Sequence, residues 1–148
     1  MKQGRLHACE VLLRVAQVRE IRASIALAEA STEKQSRRSH CDGITAARDA
    51  VTAASRASAV DTSHLDMARY EMLSNLDATL AQRLHAASHA LTSAEEACQE
   101  RAAASVVAKR YREQMDERVR ESTNTIEQKR SAGTQEEAIE LWLEGKEP

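Results

Sequence analysis

The stretch that decides the fold runs from Asp61 to Ser131: DTSHLDMARYEMLSNLDATLAQRLHAASHALTSAEEACQERAAASVVAKRYREQMDERVRESTNTIEQKRS. It contains neither Gly nor Pro. From Tyr70, alternating steps of three and four reach Leu73, Asp77, Leu80, Leu84, Ala87, Leu91, Ala94 and Cys98. The register continues through Arg101, Ser105, Ala108, Arg112, Met115, Val119, Ser122 and Ile126. A spacing near 3.5 held this long predicts one coiled-coil helix over about 62–131. Its length would be roughly 105 Å at about 1.5 Å per residue. Such a helix cannot bury its seam alone, so its partner is the rest of the chain, another chain, or both.

Composition points the same way. Among 148 residues there are no Phe, one Trp and two Tyr, so the large aromatics that dominate ordinary cores are nearly missing. Ala occurs 27 times, and the only Pro is the last residue. This profile predicts an all-α chain of long helices, a single elongated coiled-coil unit over 1–148. Residues 1–60 carry a net charge of +4 and residues 61–148 a net charge of −6, which weakly favours the halves lying together. The basic charge is too dispersed for a nucleic-acid footprint, and no nucleic-acid partner is expected. Cys9, Cys41 and Cys98 are odd in number and lack CxxC spacing, which fits free thiols in a reducing compartment. No apolar run approaches the about 18 residues a membrane span needs, so a cytoplasmic protein without an integral membrane segment is expected.

Ahead of the long helix, Val11, Val15, Val18, Ile21, Ile25 and Ala28 form a stripe that Leu6, Leu12, Leu13 and Leu27 widen. The polar stretch 29–43 reads either as a loop turning at Asp42-Gly43 or as a polar continuation of the helix. A continuous or slightly kinked helix over about 5–57 is the preferred reading. Cap formers at Ser58, Asp61, Thr62 and Ser63 predict a turn over about 58–63, with Ser63 and Asp66 as a weak capping box. At the other end, Ser131-Ala132-Gly133 predicts a helix stop. Thr134 with Glu137 then predicts a short C-terminal amphipathic helix bearing Ile139, Trp142 and Leu143, within a tail over 132–148.

An antiparallel hairpin turning near residue 60 would place Leu6–Leu27 opposite the alanine-rich stretch at about 94–115. It would also place 46–59 opposite Leu65, Met67, Met72 and Leu73, so that large meets small at both ends. The polar stretch 29–41 would then face Leu80, Leu84 and Leu91. Those leucines, with Leu76 beside them, become a candidate partner-binding strip. Past about residue 116 the first helix would have nothing left to pair, so 117–131 would project as a single charged helix.

Catalytic chemistry is not expected. His85 and His89 are four apart on a helix but lack the Glu and third ligand of a zinc site. His40-Cys41-Asp42 are adjacent in sequence, and adjacent helical residues do not face one another. There is no GxxxxGK[ST], GxGxxG or GxSxG. No cofactor and no metal are expected, and the chain is read as a non-enzyme.

The stripe Val11–Ile25, the break at 60–63 and the Arg/Glu-rich run KRYREQMDERVRES at 109–122 together resemble the FliJ/YscO/HrpO family. These are central-stalk proteins of flagellar and type III secretion export machines. The resemblance is architectural and spans about Leu6 to Arg130. The missing Phe departs from many flagellar members and favours the injectisome branch. The resemblance implies a non-enzymatic stalk that couples the hexameric export ATPase to the cytoplasmic domain of the export gate, with secretion chaperones as further partners. It also implies a location at the inner-membrane apparatus. The arginines at 110, 112, 118 and 120 would then meet the ATPase pore, and the leucine strip would meet the gate or a chaperone. The other reading of the same residues is a general cytosolic coiled-coil scaffold or adaptor unrelated to secretion.

Overall fold

A computed structural model describes residues 2–60 and 66–145. The chain is all-α: helix α1 spans Lys2–Val60 and helix α2 spans Met67–Glu144. The two pack antiparallel as a hairpin, 59 residues against 78. The polar stretch 29–43 is helical throughout, so the continuous reading of α1 holds. Thr32 and Thr45 stay helical by donating their hydroxyls to the carbonyls of Ala28 and Cys41, one turn back. Gly43 lies inside α1, and a Cβ built there meets nothing within 4 Å. Gly43→Ala therefore adds helix propensity without a clash. It should stabilise the protein by about 0.5–1 kcal/mol, read as a higher urea midpoint.

Helix α2 starts on Asp66, whose carboxylate accepts the Arg69 N–H at 3.2 Å and whose carbonyl accepts the Tyr70 N–H at 3.1 Å. In the expected turn, Ser58 belongs to α1, whereas Asp61, Thr62 and Ser63 lie outside the described residues. The expected stop at 131–133 does not occur, and there is no separate C-terminal helix. Thr134 does not cap: its hydroxyl donates to the carbonyls of Arg130 and Ser131, and α2 runs through Gly133 to Glu144. One helical Gly costs about 1 kcal/mol relative to Ala, whereas a new helix must be nucleated at greater expense.

The chain divides into two compact units, Met1–Ser24 with Ala104–Pro148, and Ile25–Ala103. In the second unit the core is Cys41, Ile44, Val51, Leu73, Leu80 and Ala87, with Ala54, Leu84 and Leu91 packed against it. This overturns the expectation that the leucines lack cover. Leu80 is buried inside the hairpin, and Leu84 and Leu91 are half-buried. The reason is register. A turn near residue 60 would set Arg48 against residue 73 and Arg38 against residue 83. Instead Arg48 meets Asp77 at 3.0 Å and Arg38 meets Glu95 at 3.4 Å. The slip brings Ile44 and Cys41 to the leucines and gives the polar stretch a polar opposite, since Lys34 and Arg38 share a groove with Glu95 and Gln99.

In the first unit the most buried side chains are Ala16 and Met115. Arg112 and Glu20 close the seam there with a two-point ion pair, Nε–Oε2 at 2.7 Å and Nη2–Oε1 at 3.5 Å. The Glu20 hydrogen bond is the main reason the Arg112 guanidinium titrates above its ordinary value. Pairing also reaches further along α2 than expected. Val119, Ser122, Thr123 and Ile126 are half-buried, and Lys2 and Arg5 share a groove with Glu121, Ile126 and Lys129. The unpaired end of α2 thus begins near Arg130 rather than near residue 117.

Candidate interaction surface

Burial assigns the seam of each helix residue by residue. On α2 the buried and half-buried positions include Leu73, Asp77, Leu80, Leu84, Ala87, Leu91, Ala94 and Cys98, then Ser105, Ala108, Arg112, Met115, Val119, Ser122 and Ile126. This is the heptad read from the sequence, with two departures: Tyr70 is exposed, and Ala102 replaces Arg101.

On α1 the seam is a different register from the one expected. In the first unit it is Leu6, Cys9, Leu13, Ala16, Glu20 and Ala23; in the second it is Leu27, Ala30, Lys34, Cys41, Ile44, Arg48 and Val51. The steps again alternate between three and four, apart from one of seven between Lys34 and Cys41. The β-branched stripe lies on the opposite side of the same helix, because Val11, Val15, Val18 and Ile21 sit about half a turn from Leu13, Ala16 and Glu20. They are exposed by 43, 41, 48 and 59%, and Leu12 beside them by 42%. The sequence held the signal, since Leu6-Cys9-Leu13-Ala16 is a legal heptad. The larger Val and Ile side chains drew the assignment away from the smaller ones that permit close packing.

This outward face is both apolar and basic. Arg14 and Arg22 lie within the stripe and Arg19 at its edge, and none of the three has an ion-pair partner among the described residues. Scattered exposed apolar side chains are ordinary, but five within eleven residues of one helix form a patch of the kind that marks an interaction site. The chain matches no family model, no curated protein and no solved structure. Its surface must therefore be read from its own residues.

A second exposed set lies at the far end of α2. Every described residue from Arg130 to Gly145 except Gly133 is exposed, and Ile139, Leu141, Trp142 and Leu143 are 55–69% accessible. Ile139, Trp142 and Leu143 share a face, and Glu136 and Glu140 run along its edge.

The residues singled out from the sequence are dispersed. Leu76 is exposed on α2, while Leu80, Leu84 and Leu91 belong to the hairpin core. Arg110 and Arg118 are exposed. Arg112 is held by Glu20, and Arg120 pairs with Asp116 at 3.0 Å, so neither presents a free guanidinium. His85 and His89 are exposed neighbours, edge to face with ring centroids 4.8 Å apart. Among the described residues no three His, Cys, Asp or Glu side chains are grouped to hold a metal, and no helix is long and apolar enough to cross a membrane.

Proposed function

We propose that this chain is a non-enzymatic stalk or adaptor that works by binding proteins along its helices. Its setting on this reading is a type III secretion apparatus, where it couples the hexameric export ATPase to the export gate and to secretion chaperones. The observation that carries this reading is the antiparallel hairpin of unequal helices, in which α2 continues as a single exposed helix beyond the residues that α1 covers. A helix end free of its own partner is what a stalk needs in order to enter a ring, and the resemblance to the FliJ/YscO/HrpO family supplies the identity of that ring. The outward face of α1 adds a second protein-binding surface, as an adaptor between two machines requires.

The register narrows which residues do this. Arg110 and Arg118 remain candidates for an acidic pore lining. Arg112 serves the hairpin instead, and the leucine strip gives way to the Val11–Ile21 face as the apolar contact. The test is co-purification of the chain with a hexameric type III export ATPase, full length against a chain ending at Arg130. That truncation spares the paired parts of both helices. Full-length capture that falls at least tenfold in the truncated chain is the expected result. Equal capture by both, or none by either, would overturn the stalk reading.

A further inference from the structure

We propose that two copies of this chain form a dimer in which the acidic end of each α2 lies along the basic apolar face of the other copy's α1. Both surfaces belong to the unit Met1–Ser24 with Ala104–Pro148. Each has what the other lacks. The α1 face offers Val11, Val15, Val18 and Ile21 with Arg14, Arg19 and Arg22. The α2 end offers Ile139 and Leu143 edged by Glu136 and Glu140, and neither carboxylate has an ion-pair partner among the described residues.

Length and direction select a second copy as the occupant. Residues 130–144 make about 22 Å of helix, enough to cover the roughly 15 Å from Val11 to Ile21. Their own α1 is out of reach. Helix α2 runs unbroken through Gly133, so its end continues past the start of α1 instead of folding back over it. Direct pairing of two α1 faces would set Arg14, Arg19 and Arg22 against their own copies, which like-charge repulsion disfavours. The reciprocal exchange sets arginine against glutamate twice, and because the two contacts are equivalent the assembly closes as a pair rather than growing into a filament.

The dimer does not depend on the secretion setting, and it occupies the same end of the hairpin that a stalk would insert. A partner ring would therefore have to displace the second copy. Sedimentation equilibrium of the isolated chain tests the dimer separately from any ATPase. Full-length protein is expected at twice 16.3 kDa. Glu136→Arg with Glu140→Arg should give the monomer mass with helical circular dichroism unchanged, and so should Arg14→Glu with Arg22→Glu. The four substitutions together should restore the dimer. A chain ending at Arg130 gives an independent route to the monomer. A full-length monomer, a dimer that survives loss of residues 131–148, or a fourfold variant that stays monomeric would each overturn the proposal.

Discussion

Leu80→Ala should lower stability by about 2–3 kcal/mol, whereas Leu76→Ala, one turn away on the same helix, should change it by less than about 0.5 kcal/mol. Leu80 lies in the core with Ile44, Cys41 and Val51, and Leu76 is 43% exposed. The figure sits in the lower part of the range for buried leucines because only two helices enclose the site, so its walls can relax inward. Urea midpoints of the two variants, followed by helical circular dichroism, give the comparison directly. A charged residue makes the contrast sharper. Leu80→Glu places an unpaired carboxylate between the helices and should unfold the unit Ile25–Ala103, whereas Leu76→Glu meets solvent. Equal tolerance at the two positions would mean that α2 does not present Leu80 to α1.

The second large effect runs against intuition about small seam residues. Ala16 has no accessible surface, so the helices approach one another closely there. Ala16→Leu adds three carbons where there is no room. The substitution raises hydrophobicity and costs little helix propensity, yet it should destabilise the chain by about 1–3 kcal/mol through overpacking. The same change at the exposed Ala8 should be nearly neutral. If Ala16→Leu raised the melting temperature, α1 would not face α2 through Leu13, Ala16 and Glu20.

These two positions show how far the sequence could be read. The heptad of α2 was legible because leucine marks it at Leu73, Leu80, Leu84 and Leu91, and only one register collects them all. Helix, antiparallel hairpin and unequal lengths followed from that seam and from the scarcity of Gly and Pro. The seam of α1 was not legible by size. Two heptads compete on that helix, one built of Val and Ile and the other of Leu, Cys and Ala. Side-chain volume favours the first, whereas closeness of approach and the Glu20–Arg112 ion pair favour the second. The start of α2 added a second source of error. Asp66 caps it and α2 starts at Met67, so a turn centred on residue 60 lies too early, and an early turn displaces every facing pair. That displacement made the leucines look bare. It also hid the face that is exposed, Val11 to Ile21, and moved the unpaired end of α2 from about residue 117 to about residue 130.

The candidate interaction surface therefore follows from register more than from composition. With the helices paired as observed, the β-branched stripe and its arginines point outward, and the acidic end of α2 runs free of α1. With the earlier turn, the stripe would be consumed by the hairpin, and the leucines of α2 would be the exposed strip.

One distance comparison tests this register most directly. Spin labels at Gln17 and Glu117, both exposed, should lie closer together than labels at Gln17 and Ala104. Residue 117 is near the level set by the Glu20–Arg112 ion pair, and residue 104 is where a turn at residue 60 would place the opposite helix. The two α2 sites are separated by about 20 Å of helix, well beyond the spread of a label. The measurement is made with Cys9, Cys41 and Cys98 replaced by Ala, and with labelled chains diluted into unlabelled protein. The account predicts the shorter distance for 17 and 117; a shorter distance for 17 and 104 would contradict it.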